Sequence, residues 1–193
     1  MIKGVHGTCR TWARSIKTDG FKASESGRAG PGCYFWRFSS SSDYAEYLGF
    51  KWWEAEHKKG NYNKTGVSDK ECALLVCNIC DDNELNVLDL TAAEQKENLR
   101  EVIRHSLNSL KEMDKSAECK EKAISEVYAA YIGLIEGEKG SKFKACIADV
   151  AVPKGSGRDL GLYMGASAEA VVVFDTENIE IEAIKEIDNY DYV

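Results

Sequence analysis

With 193 residues, 44% of them apolar, the chain is long enough to enclose a core and is expected to form one domain. No apolar run approaches the roughly 18 residues that would cross a bilayer, and Met1-Ile2-Lys3-Gly4 lacks the charged-then-apolar layout of a secretion signal, so the expectation is a soluble, cytoplasmic protein without a membrane partner. A net charge of −7 argues against a protein that holds nucleic acid through its overall field, and seven cysteines, an odd number beside ample apolar residues, point to reduced thiols rather than disulfides.

The charge is unevenly placed. Residues 1–40 carry seven basic groups (Lys3, Arg10, Arg14, Lys17, Lys22, Arg28, Arg37) against Asp19 and Glu25, so this segment is +5 and the remainder −12. A basic N-terminal segment suits an anionic ligand such as a pyrophosphate; for Arg14 and Lys17 a solvated helix face is an equal reading.

Ile2 to His6 alternates as a short strand, Thr8 is placed to cap a helix whose inner face carries Trp12, Ala13 and Ile16, and Gly20 supplies its stop. His6 therefore falls at a strand end, where a hydrogen-bonded structural role and a ligand-binding role are equally open. Gly27, Gly30 and Gly32 with Pro31 then form a hinge running into Tyr34-Phe35-Trp36, so the next strand, from Cys33 to Trp36, delivers an aromatic face either to a core or to a cavity. After a serine run, Tyr44, Tyr47, Leu48, Trp52 and Ala55 recur at spacings of three and four, which predicts a helix of about 14 residues whose aromatics are mostly core.

Residues 57–70 read as a polar surface loop, followed by strands at Cys72–Ile79 and at 86–90 about an Asp81-Asp82-Asn83 turn. Cys72, Cys77 and Cys80, with His57 as a fourth group, form the one metal candidate; Cys77 and Cys80, three apart in a strand, point to opposite faces, so buried reduced thiols are the better account and no metal is expected. Thr91 and Glu94 make a capping-box pattern ahead of a stripe of Leu99, Val102, Ile103, Leu107, Leu110 and Met113. A second helix carries Ala123, Ile124, Val127, Tyr128, Tyr131 and Leu134 and ends at Gly137, giving a helical hairpin. Residues 143–152 alternate as a central strand stopped by Pro153, and the glycine-rich stretch 154–166 lacks Walker spacing and reads as a loop. Glu169 opens the apolar strand Ala170-Val171-Val172-Val173-Phe174, and 179–184 alternates as a last strand. A carboxylate at the edge of such a strand is costly if buried without a partner, and so is either exposed or part of a site.

Three of these motifs, in this order, carry a resemblance. Val5-His6-Gly7-Thr8, then Gly30-Pro31-Gly32-Cys33-Tyr34-Phe35, then Glu169 at the head of an apolar strand resemble the ADP-ribosyltransferase superfamily, in its poly-ADP-ribose-polymerase-like branch with a His-Tyr-Glu triad. The resemblance implies an α+β fold of split antiparallel sheets with flanking helices, in which the helical hairpin over about 91–137 is an insert without a counterpart. It implies NAD as co-substrate: His6 bonding a ribose hydroxyl, the Gly7 backbone holding the nicotinamide amide beside Thr8, and Tyr34 and Tyr44 sandwiching the ring, with Ser41 three residues before Tyr44. The chain has one residue fewer between the two tyrosines than that pattern. Glu169 would hold the nicotinamide ribose and stabilise positive charge as the glycosidic bond breaks. Arg10 and Arg28 are candidates for the pyrophosphate on charge alone.

The loop before the glutamate contacts the acceptor in that family, and Arg158, Asp159 and Tyr163 are its reactive side chains here. Ser167, two positions before Glu169, stands where arginine-modifying members carry Gln or Glu, which speaks against arginine as acceptor. Stand-alone bacterial members of this size are often toxins of toxin–antitoxin or anti-phage modules. The expected activity is therefore a mono-ADP-ribosyltransferase, a glycosyltransferase that moves ADP-ribose to RNA, DNA or protein and releases nicotinamide, with an antitoxin as a candidate partner. A non-catalytic module that binds NAD or ADP-ribose, and an interaction protein that uses the helical hairpin, are the alternatives.

Overall fold

Period-two apolar patterning in the strands and period-three-to-four patterning in the helices resolve into an α+β fold with four helices and a seven-stranded mixed sheet in a computed structural model, which describes residues 1–79, 86–111, 117–154, 156 and 166–188. In chain order the elements are β1 (Ile2–Cys9), α1 (Arg10–Asp19), β2 (Cys33–Phe38), α2 (Asp43–Lys58), β3 (Cys72–Ile79), β4 (Val87–Asp89), α3 (Ala93–Lys111), α4 (Ala117–Lys139), β5 (Ala145–Ala151), β6 (Ser167–Val173), a single 3-10 turn (Thr176–Asn178) and β7 (Ile179–Ile187). The strand order is β4-β5-β6-β2-β1-β3-β7. Neighbours run antiparallel except β4 and β5, which are parallel, so the sheet is mixed rather than purely antiparallel.

The core lies on both faces of this sheet. One layer joins Val5, Trp36, Leu74 and Val172 to α2 through Leu48, to α3 through Leu99 and to α4 through Tyr128, Tyr131 and Ile132. The other joins Phe35, Leu75, Cys77 and Val171 to Ala13 of α1 and to Phe21. β3 sits between β1 and β7 and is buried on both faces, which is why it reads as a nearly continuous apolar run. Cys72 and Cys77 fall in different layers, and Cys80 lies outside the described residues.

Local capping differs from expectation at several points. Thr8 stays in β1 and Cys9 precedes the first helical residue, so Thr8 caps nothing. The Thr91 hydroxyl turns back to Asp89 at 2.6 Å instead of closing a box with Glu94. α4 runs through Gly137 and stops at Gly140, which takes the left-handed φ of 70° that ends helices cheaply only at glycine. Leu134 faces solvent rather than the core. No helix among the described residues is long and apolar enough to cross a membrane.

Candidate functional site

The site arises where the sheet comes apart. β1 pairs with β2 only over Lys3, Gly4 and Val5, opposite Phe38, Arg37 and Trp36. His6 and Gly7, which the same register would place against Phe35 and Tyr34, are unpaired on that side. Two sets of close contacts border the opening. A methyl at Gly7 would lie 2.0 Å from the Gly49 carbonyl oxygen, so α2 presses its backbone directly onto β1 there. The hinge, in turn, is tied off by its own bonds: Ser24 and Gly32 exchange backbone hydrogen bonds at 3.0 and 3.1 Å, and the Gly27 amide donates to the buried Ser125 hydroxyl of α4 at 3.1 Å.

Two cavities flank the opening, of about 250 Å³ and about 530 Å³. His6, Gly7, Lys22, Cys33 and Trp52 line both, so they are compartments of one cleft. The larger falls within the range of small-ligand sites, roughly 300 to 1,000 Å³, and the smaller lies just below it. The smaller adds Gly27, Arg28, Tyr34, Trp36, Glu121 and Ala170; the larger adds Thr8, Trp12, Glu56, Tyr62 and Lys64.

His6 lies against Phe21 and Phe35, at 5.5 and 5.6 Å between ring centroids, and keeps part of its surface open to the cleft. Its Nδ1 is 2.9 Å from the Tyr34 carbonyl oxygen, which can only accept, so Nδ1 carries the proton. Burial lowers its pKa from the usual 6.5, against the opposing pull of that carbonyl. Near neutral pH the ring is therefore uncharged and Nε2 is an acceptor.

Tyr34 acts on the hinge as well as on the cleft. Its hydroxyl accepts from the Ala29 amide at 2.8 Å and donates to the Gly30 carbonyl at 2.5 Å, and a methyl at Gly27 would fall 2.6 Å from a carbon of its ring. Burial pushes the phenol pKa well above its usual value, which suits a hydroxyl that must donate.

Much of the basic N-terminal segment is neutralised elsewhere. Arg10 bonds Asp188 at 2.5 Å and forms an ion pair with Glu186 at 3.4 Å beside the far edge strand β7, away from the cleft. Lys3 pairs with Glu182, Arg14 with Asp69 and Arg37 with Glu169. Lys22 and Arg28 have no carboxylate partner among the described residues and are the cations this segment gives to the cleft.

The structure thus brings His6, Gly7, Thr8, Arg28 and Tyr34 to one cleft and leaves four expected residues outside it. Arg10 is engaged as above. Ser41 is exposed and bonded to Asp43 at 2.8 Å. Tyr44 stacks on Tyr47, at 6.5 Å between centroids, and lines neither cavity.

Glu169 is exposed on β6, 2.8 Å from Arg37, and also lines neither cavity. By strand alternation it points to the opposite side of the sheet from Tyr34 and to the same side as His6, from which it sits roughly 12 Å, by two inter-strand spacings and two residues of rise. Its neighbour Ala170 reaches the cavity instead. Arg158, Asp159 and Tyr163 lie outside the described residues.

The cleft residue that motif reading misses is Trp52, which lies on the same face of α2 as Tyr44, about two turns on, and carries the Arg28 guanidinium 5.1 Å over its ring. The carboxylate that does line the smaller cavity, Glu121 of α4, belongs to the hairpin and to no motif. No family model, curated protein or solved structure matches the chain at a significant level.

Proposed function

We propose that the chain binds NAD in the cleft between β1 and β2 and transfers its ADP-ribose to a macromolecular acceptor, nucleic acid or protein, releasing nicotinamide. The observation that carries this reading is the convergence of His6, Gly7 and Tyr34, from two separate motifs, on one cavity at the point where the strands part. Neutral His6 offers Nε2 to a ribose hydroxyl, Lys22 and Arg28 supply positive charge for a pyrophosphate, and aromatic walls suit a planar ring. In transfer, the bond from ribose C1′ to the nicotinamide nitrogen breaks with its electron pair going to nicotinamide. The acceptor then bonds C1′ and gives up a proton. A carboxylate beside the ribose lowers the energy of the cationic state between these events.

Glu169 is the carboxylate proposed for this step, and to serve it must leave Arg37 and turn into the cleft. Its outward ion pair favours a second reading, in which the chain binds NAD or ADP-ribose without cleaving it. Nicotinamide release and thermal protection by NAD, measured together, separate the two. The transferase releases nicotinamide, and Glu169→Gln slows release about 100-fold or more. The binding module melts higher with NAD and releases nothing. A chain that does neither leaves both readings without support. Release that survives Glu169→Gln but falls in Glu121→Gln would move the carboxylate's role to α4.

A further inference from the structure

We infer that the face of Trp52 is the seat of a planar, positively charged ring, so that the cleft distinguishes the oxidised from the reduced form of a nicotinamide dinucleotide. This rests on the NAD reading above. Trp52 is the one indole among the five residues common to both compartments, and so sits on their shared boundary. Its ring already holds a planar cation, the Arg28 guanidinium, 5.1 Å from its centroid. Indole is the aromatic face that attracts cations most strongly, and a guanidinium and an oxidised nicotinamide ring share the relevant properties: both are flat and both carry one delocalised positive charge. Besides this contact, Arg28 is tied by one hydrogen bond, from Nη1 to the Ala151 carbonyl at 2.7 Å, and has no carboxylate partner among the described residues. The guanidinium is a resident stand-in that a ligand cation displaces, after which it is free to meet the ligand's phosphates. The reduced ring is neutral and has no such hold on the indole.

The other rings near the opening are less suited. Tyr34 is covered on one face by Gly27 and has its hydroxyl engaged by the hinge, Tyr44 stacks on Tyr47 outside the cleft, and Trp36 is buried. Trp12, in the larger compartment, has the Tyr62 ring against it at 5.1 Å and the Lys64 ammonium above it at 5.6 Å, a compact rather than planar cation.

The test is calorimetric titration of the full chain with carbocyclic NAD, whose nicotinamide ring is cationic and whose glycosidic bond cannot be cleaved, and in parallel with NADH. The wild type is expected to bind the oxidised analogue about 5- to 30-fold more tightly than NADH, the range a desolvated cation–aromatic contact supports. Trp52→Leu should bring that ratio near one, Trp52→Phe should leave it intermediate, and Trp12→Phe should leave it unchanged. A ratio near one in the wild type, a ratio that survives Trp52→Leu, or one that follows Trp12 overturns the assignment. If Trp52→Leu does not fold, as judged by its melt, Trp52→Phe decides: a lowered ratio supports the assignment and a wild-type ratio overturns it. Equal binding of both ligands leaves the NAD reading standing and removes only the role of Trp52; binding of neither removes both.

Discussion

Tyr34→Phe separates the two jobs of this residue, because it keeps the ring and deletes the hydroxyl. The hydroxyl makes two bonds to the hinge, to the Ala29 amide at 2.8 Å and to the Gly30 carbonyl at 2.5 Å, and Ala29 is fully buried. A net hydrogen bond contributes about 1 kcal/mol, and a buried partner left without one costs somewhat more, so the loss should be about 2 kcal/mol. For a chain of this size that corresponds to a melting temperature lower by roughly 4 to 8 °C. Differential scanning calorimetry of the two proteins reads it directly, and a melt within about 1 °C of wild type would refute the hinge-holding role. Because the hinge carries Arg28 to the cleft, NAD affinity should fall as well, measured by titration. Tyr34→Ala also removes the ring and should weaken NAD binding by about 1 to 3 kcal/mol if the ring stacks on a base or the nicotinamide. If Tyr34→Phe binds NAD like wild type while Tyr34→Ala does not, the ring alone matters to the ligand.

Gly7→Ala should destabilise the fold by about 3 kcal/mol or more, since the new methyl would meet the Gly49 backbone oxygen at 2.0 Å and neither strand nor helix can yield locally. Gly49→Ala should cost far less, its nearest contacts being the Leu74 and Val5 side chains at 3.1 and 3.2 Å; urea denaturation of both variants checks the contrast, and equal stabilities would show that the close approach of α2 to β1 is wrong. The pKa of His6 is lowered by burial, so the unfolded chain takes up its proton more readily than the folded one. The stability it contributes is complete above the ordinary value of 6.5 and is lost as pH falls from there through the depressed folded value. Melting temperature followed from pH 8 to pH 5 should therefore drop on the acid side, with a shallower drop in His6→Gln; parallel curves would exclude His6 as the titrating group.

Where patterning was strong, the fold could be read ahead of the structure. The limits of β3 agree residue for residue, because a strand buried on both faces is apolar along nearly its whole length, with Asn78 its one polar side chain. The helical hairpin was legible from the apolar stripes through Leu99 and through Tyr128 and Tyr131, although its caps were not. Capping depends on which partner a hydroxyl finds in space: Thr91 found Asp89, and Gly137 was carried through because α4 continues to a glycine better placed to stop it.

At the candidate site, residue order alone specifies the local chemistry: a histidine and glycine near the end of a strand, a glycine hinge leading into Tyr34, and a carboxylate heading an apolar strand. Which of these share a space depends on how the chain folds back on itself. Alternation sends His6 and Tyr34 to opposite faces of the sheet, and the gap left where β1 and β2 stop pairing lets both reach one cavity; Glu169 is held at Arg37, and ion pairing drew Arg10 to β7. Trp52 and Glu121 entered the cleft from helices whose periodicity says only which side faces inward. What an inward side chain meets, core or cavity, depends on where neighbouring strands stop pairing and on how closely helices pack over them, as α2 does over β1 between Gly7 and Gly49, contacts between residues distant in the chain.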